Sequence, residues 1–250
     1  MARLPQHGVE GLGLSLDGYS AQRHDSIRGV AGTFDRTIQA MRWAQELGFL
    51  LQVNTLVSEG TGDDLPAIYE LLKPLGVARW SLFFLISVGR GKVLQPLRPE
   101  QGERLMGWVY ETSKVAPFVV TTTEAPSYRR VALNKLREEG LTGEQIKKST
   151  GYRGFGIRDG NGIVFVSHTG DICPAGFLPL TLGNVRQDRI ADVYRNAPVF
   201  LALYDPAQFH GRCGHCEYHA LAADRAPGPT RPSAIRLRHP TTSTWRVRCC

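Results

Sequence analysis

The chain has 250 residues, 42% hydrophobic and 21% charged, which excludes wholesale disorder, a collagen repeat and a disulfide-dense mini-protein and suits one large domain or two small ones. The net charge is +7, but residues 222–250 hold six Arg, one Asp and no Lys or Glu, so +5 of it sits in the tail and only +2 in the body. With no basic stripe and interleaved aromatics in that body, nucleic acid is not an expected partner.

The longest apolar runs, residues 49–57 and 80–88, are about half the ~20 residues a spanning helix needs, so no membrane span is expected. No basic start with an apolar core follows Met1. The first strand is expected at residues 11–17, an apolar run closed by Asp17-Gly18. After a polar stretch, Gly32-Thr33 opens a helix with Thr33 as N-cap, Phe34, Ile38 and Met41 on one face, and Gly48 as its stop. Residues 49–57 form the second strand, apolar except at Gln52 and Asn54. Asp63 or Asp64 caps the next helix, with Leu65, Ile68, Leu71 and Leu72 inward, and Gly76 ends it. The third strand is residues 78–87, and a helix follows over residues 99–114.

Strands apolar on both faces that alternate with helices every ~30 residues mean parallel strands covered on both sides. A closed eight-unit barrel typically needs ~250 residues, so the pattern reads as part of a (β/α) barrel. Residues 117–153 read as a linker or helical insert, with a helix over 128–139. From residue 154 the signals are β-type. A strand at 163–167, a turn at 168–171 and a return strand at 172–177 make a hairpin, and a helix is expected over 190–203.

The cysteines are Cys173, Cys213, Cys216, Cys249 and Cys250. An odd count with a close CxxC points to metal or redox chemistry in a reducing, cytoplasmic setting more than to a disulfide framework. Cys213-Gly214-His215-Cys216 suits zinc, two corners of an iron–sulfur cluster, a redox dithiol or two buried thiols. Cys173 is either a third ligand or a lone buried cysteine beside Pro174. His215 and His219 either complete a zinc site or are solvated. Gln52 and Asn54 share one strand face by the period of two. They need partners, which are a cofactor, a substrate or other polar groups within the core. Arg28 meets a carboxylate or makes a surface ion pair, and Asp35, Arg36, Arg42 and Glu46 form a solvated helix face.

Several stretches together resemble the second half of a radical SAM enzyme with a C-terminal SPASM or twitch domain. GLGLSLDGYSAQRHDSIRGVAGTFDRTIQA (residues 11–40) is similar to the fourth strand and helix of that barrel. LQVNTLV (51–57) resembles its fifth strand and WSLFFLISVGRG (80–91) its sixth. GDICPAGFLPLTLGNVR (170–186) followed by CGHCEYHAL (213–221) resembles the auxiliary-cluster domain. The resemblance implies an α/β fold: a partial TIM-like barrel (1–116), the insert (117–153), a small α+β SPASM/twitch domain (154–221) and an aberrant, disordered basic tail (222–250). It implies S-adenosylmethionine (AdoMet) cleaved by a four-iron cluster to a 5′-deoxyadenosyl radical, acting on a peptide or tetrapyrrole-type substrate. An auxiliary 4Fe–4S cluster would sit on Cys173, Cys213 and Cys216. By the same resemblance, Ser15 and Asp17 face the ribose and amino-acid parts of AdoMet, Gln52 and Asn54 line the site, and the backbone around Gly89 approaches adenine.

The chain departs from the family in two places. It has no CxxxCxxC, so a chain inactive by itself is expected, and Met1 reads as an internal start. Where the family continues CxxCxxxxxC, Ala222 stands at the third cysteine. Asp188 stands where the larger SPASM pattern has another cysteine, so the resemblance is nearer the one-cluster twitch form. Reading the codons from Ala222 in the frame one base earlier can give CGGSRARAYA, the family's own continuation, so the tail reads as a frameshift product. The competing expectation is an interaction module whose cysteines hold zinc or a cluster without catalysis; metal content separates the two.

Overall fold

The computed structural model describes residues 4–87, 89–123, 125–149, 158–204, 215, 236–238 and 244–246. The chain divides into two compact units, Met1–Ala125 and Pro126–Cys250. The first is an α/β unit built on a four-stranded, all-parallel sheet. Its strands are β1 (Gly11–Ser15), β2 (Leu50–Val57), β3 (Val77–Phe84) and β4 (Val119–Thr123), in the spatial order β1-β2-β3-β4. The helices are α1 (Ala21–Arg28), α2 (Thr33–Glu46), α3 (Leu65–Leu72) and α4 (Pro99–Val115).

The strands alternate more strictly than their composition implies. In β2, Leu51, Val53, Thr55 and Val57 are buried, while Gln52, Asn54 and Leu56 are half-buried. The buried set joins Trp80 and Leu82 of β3, Ile68 and Leu72 of α3, Met41 and Ala44 of α2 and Val109 of α4 in one core. Tyr69, Trp80, Trp108 and Phe118 form an aromatic cluster with ring centroids 5.8–6.4 Å apart. The opposite face carries Gly13, Ser15, Gln52, Asn54, Ser81 and Thr121 in neighbouring registers. The strand composition implies apolar cover on both faces; the structure shows one apolar face and one mixed face, on which Leu56 and Phe83 continue the row of polar groups.

Capping also differs from the local reading. Gly32 is the N-cap of α2, with φ of 77°, and Thr33 is its first residue. The cap comes from α1: the Asp25 carboxylate accepts from the Gly32 and Phe34 amides at 2.6 and 2.8 Å and from the Thr33 hydroxyl at 2.7 Å. Asp64 stands at the N-cap of α3 without capping it, because its carboxylate takes Arg23 at 2.8 Å. The helix α1 sits in what reads as a featureless polar stretch, since its only fully buried residue is His24. The strand β4 lies inside the segment expected as linker or insert. It is VVTTT, β-branched throughout, and pairs with β3 from Arg79↔Val119 to Phe83↔Thr123.

The second unit holds α5 (Pro126–Glu138), α6 (Gly143–Lys148), the two-residue ladder β5 (Arg158–Asp159) and β6 (Gly162–Ile163), and the antiparallel strands β7 (Phe165–Val166), β8 (Asp171–Cys173) and β9 (Gly183–Asn184). Its α7 (Ile190–Asn196) and α8 (Pro198–Tyr204) divide the single expected helix at Pro198, which has no N–H to continue the ladder. Ala175, Leu178 and Leu180 form a small core with Leu182 and Val199. In the tail, β10 (Arg236–Arg238) pairs antiparallel with β11 (Thr244–Arg246). No helix among the described residues is long and apolar enough to cross a membrane.

Candidate functional site

The carboxyl ends of parallel strands are where an α/β sheet presents its binding groups. At this edge the chain leaves β1 through Leu16 and Asp17. Leu16 stays tied to the sheet: its N–H donates to the Asn54 carbonyl at 2.9 Å, and its carbonyl accepts from the Thr55 hydroxyl at 2.7 Å. That hydroxyl in turn accepts from the Trp80 indole N–H at 2.9 Å, so one buried relay spans β3, β2 and the end of β1.

Asp17 is 3% exposed. Its Oδ1 accepts from the Leu56 amide at 2.8 Å, its Oδ2 meets Arg28 Nη2 at 2.6 Å, and its own N–H donates to His24 Nδ1 at 3.0 Å. Both carboxylate oxygens are therefore engaged within the chain. Arg28 thus meets a carboxylate, a buried one of its own chain, and the pair is not the surface ion pair of the other alternative. His24, which periodicity gives no reason to single out, is 1% exposed, and burial pushes its pKa below the usual imidazole value.

Ser15, Gln52 and Asn54 come together on the polar face. Ser15 pairs in register with Asn54, and Gly13 with Gln52. The Gln52 side-chain amide donates to Asn54 Oδ1 at 2.8 Å. This bond uses one group of each amide and leaves the Gln52 carbonyl oxygen and the Asn54 N–H groups available. A Cβ on Gly13 would stand 3.8 Å from Asn54 Nδ2, so the glycine keeps the approach to this amide open. Ser81 and Thr121 continue the row, with hydroxyls 3.0 Å apart. Around Ser15 and Asn54 the face thus presents neutral hydrogen-bonding groups, with Arg79 in register beside Gln52, which suits a polar, uncharged part of a ligand such as a ribose or an amide. Gly89 lies beyond β3, at the start of the 3-10 turn Gly89–Val93. A separate cavity of about 330 Å³ is lined by Glu59, Asp63, Arg98, Glu100, Gln101 and Arg104 and includes none of the residues expected from the sequence.

In the second unit, Cys173 ends β8 as a free, buried thiol. The hairpin that carries it is fixed by Asp171, whose carboxylate accepts from Thr169 Oγ1 at 2.6 Å, Asn184 Nδ2 at 3.0 Å and Ser167 Oγ at 3.2 Å. Those hydrogen bonds hold the Asp171 pKa below the ordinary carboxylate value. Burial pushes the Cys173 thiol up, against a Thr181 hydrogen bond that pulls it down. A neutral thiol on a rigid hairpin fits a metal ligand that loses its proton when iron or zinc binds. Cys213, Cys216 and His219 lie outside the described residues, and His215 sits in an exposed turn. Among the described residues no group of three or more His, Cys, Asp or Glu is placed to hold a metal. The AdoMet-cleaving cluster does not fit this chain, because the sequence offers no CxxxCxxC to hold it.

No family model matches the chain. It is 35% identical over 223 residues to the AdoMet-dependent heme synthase of Methanosarcina barkeri, a match covering 88% of this chain and 63% of that protein. It is 34% identical over 244 residues to the AdoMet-dependent heme synthase of Oleidesulfovibrio alaskensis, covering 95% of this chain and 62% of that protein. The chain thus spans about three fifths of the length of these relatives. Its fold matches the crystal structure of Streptococcus suis SuiB with a TM-score of 0.61 at 16% identity, over 84% of this chain and 49% of SuiB. SuiB is also solved bound to its precursor peptide SuiA and to S-adenosylmethionine. The chain is thus similar in sequence to AdoMet-dependent heme synthases and in its parallel α/β fold to SuiB.

Proposed function

We propose that this chain is part of an AdoMet-dependent radical enzyme that modifies a tetrapyrrole of the haem series, with AdoMet on the polar face of the parallel sheet and an auxiliary iron–sulfur cluster on Cys173, Cys213 and Cys216. The observation that carries the reading is the 34–35% identity to two AdoMet-dependent heme synthases over 88–95% of this chain. When bound, the AdoMet-cleaving cluster of such an enzyme supplies one-electron chemistry.

This chain's own residues bind and orient. Ser15, Gln52 and Asn54 offer hydrogen bonds to the ribose and amino-acid parts of AdoMet, and the backbone at Gly89 approaches the adenine. Asp17 acts through Arg28 and Leu56, not by direct contact. Cys173, on its braced hairpin, takes an iron of the auxiliary cluster. Lacking CxxxCxxC, the chain by itself does not cleave AdoMet. A partial barrel over residues 1–125, a twitch-type second unit and a frameshifted tail after Leu221 belong to the same reading. The SuiB likeness supports a peptide substrate as the second reading.

The test is direct. After anaerobic reconstitution with iron and sulfide, the chain is expected to hold both, to bind AdoMet, and to perturb the absorbance of an iron tetrapyrrole added at micromolar concentration. It is expected to release no 5′-deoxyadenosine with dithionite. One tightly held zinc without sulfide, or turnover of AdoMet by the isolated chain, overturns the reading. Saturable binding of a peptide with no tetrapyrrole response moves it to the peptide class.

A further inference from the structure

Among the described glycines of the first unit, the corner between β1 and α1 is the tightest. A Cβ on Gly18 would lie 2.5 Å from the His24 backbone nitrogen and 2.7 Å from Arg23 Cβ, so the backbone passes directly against the first turn of α1. The Asp17 N–H emerges at this corner, past the end of the β1 ladder, and is buried. A buried amide without an acceptor is costly, and the acceptor here is His24 Nδ1 at 3.0 Å.

An imidazole nitrogen accepts only when unprotonated, so His24 is neutral with its proton on Nε2. Its ring is held edge-on against Phe34 of α2, with centroids 6.1 Å apart. The charged groups acting on it are Asp17 from the β1 corner and Arg28 and Asp25 from its own helix; burial outweighs them and lowers its pKa. The residue whose amide His24 holds is the same one whose carboxylate joins the Leu56 amide at the end of β2 to Arg28. Ser15 and its partner Asn54 stand immediately before that junction.

We propose that His24 is a positioning residue: as a neutral imidazole it fixes the Asp17 peptide, and through Asp17 it sets the register of the strand ends that present Ser15 and Asn54 to a nucleoside-type ligand. The proposal rests on the AdoMet reading and deepens it. Protonation of His24 places a second donor against the Asp17 N–H and opens the corner, so ligand binding falls as pH drops through the lowered pKa of His24.

Two variants separate its roles. In His24→Asn the side-chain oxygen occupies the position of Nδ1 and keeps an acceptor that does not titrate. In His24→Leu the volume stays and the acceptor goes. Hydrogen exchange at the Asp17 amide and AdoMet binding, read by NMR shift perturbation on the full chain from neutral pH down to the acid limit of the folded protein, are the measurements. His24→Leu is expected to speed Asp17 exchange roughly tenfold or more and to weaken AdoMet by a similar factor. His24→Asn is expected to restore both and to abolish the acid-side loss of binding seen in the wild type. An Asp17 amide still protected in His24→Leu, or an Asn variant as impaired as the Leu variant, overturns the proposal. If His24→Leu does not fold, the Asn variant and the wild-type pH profile decide alone: equal acid sensitivity in the two sinks it. A wild type with no AdoMet response overturns the functional reading, and the exchange comparison then decides whether His24 holds Asp17.

Discussion

The relay from Trp80 through Thr55 to Leu16 can be broken with little change in shape. Thr55→Val replaces a hydroxyl by a methyl at a site with no exposure. The Trp80 indole N–H and the Leu16 carbonyl then lose the partners they have at 2.9 and 2.7 Å. A buried polar group left without its partner costs about 1–3 kcal/mol, so two of them place the loss at about 2–6 kcal/mol. At about 2–4 °C per kcal/mol for a chain of this size, that corresponds to a fall in Tm of roughly 4–24 °C. Thr55→Ser keeps the hydroxyl and gives up one methyl, at about 1 kcal/mol. The relay also predicts non-additivity. Trp80→Phe removes the donor that Thr55→Val strands, so the double variant should be less destabilised than the two single losses together by about 1 kcal/mol. Urea unfolding of the four variants, followed by far-ultraviolet circular dichroism, measures this cycle. A Thr55→Val variant within 0.5 kcal/mol of wild type, or strict additivity with Trp80→Phe, would refute the relay as a source of stability.

Other consequences are read more simply. Cys173→Ser should lower the iron and sulfide retained after anaerobic reconstitution by at least half without loss of folded secondary structure; unchanged iron content removes Cys173 from the ligand set. Asp25 has its pKa held down, first by the Thr33 hydroxyl and then by the Phe34 and Gly32 amides. Its folded value lies below its unfolded one, so its contribution is complete above the unfolded pKa and is lost as pH falls through the folded pKa. Asp25→Asn should therefore be less stable than wild type at pH 7, with the gap closing on acidification below pH 4; a gap independent of pH argues against the cap. Gly18→Ala drives a methyl into the α1 backbone and should cost about 1–3 kcal/mol, whereas Gly107→Ala, within α4, where a Cβ meets nothing within 4 Å and φ is not positive, should cost less. Sequencing the DNA past the Leu221 codon should show CGGSRARAYA in the neighbouring frame; its absence removes the frameshift reading.

Much of the first unit is legible because its signals are local. The Gly48 and Gly76 stops adopt positive φ as expected, and Leu65, Ile68 and Leu72 turn inward from their spacing alone. What escaped depends on contacts distant in sequence. The strand β4 is short, with three threonines in five residues, so it carries no apolar run; only its pairing with β3 makes it a strand. The helix α1 buries a single histidine, and no periodicity announces a helix whose purpose is to deliver His24, Asp25 and Arg28 to three different neighbours. Thr33 is the usual residue type for the cap of α2, but Asp25 arrives from the preceding helix and accepts from the free amides there. Gln52 and Asn54 were recognisable as out of place in an apolar strand, but composition could not tell that one bond joins them and leaves the remaining groups available.

The end of β1 shows how the chain separates holding from presenting. Asp17 is the most conspicuous charged residue there, and a reading by residue type makes it a ligand-binding group. Its burial and its two engaged oxygens make it a fastener instead, joining the Leu56 amide of one strand to the guanidinium of Arg28. Both oxygens of this carboxylate already have partners within the chain. The groups that the face offers a ligand around Ser15 are neutral: the Ser15 hydroxyl, the Gln52 carbonyl and the Asn54 amide hydrogens. Neutral groups cost less than a charge to leave half-buried before a ligand arrives, and the charged cluster behind them supplies the rigidity that a preorganised site needs. Substitutions at Asp17 and Arg28 should therefore act on stability and on ligand affinity together, whereas Asn54→Ala should weaken AdoMet binding with little change in Tm. A loss of stability at Asn54 as large as that at Asp17 would reverse this assignment of roles.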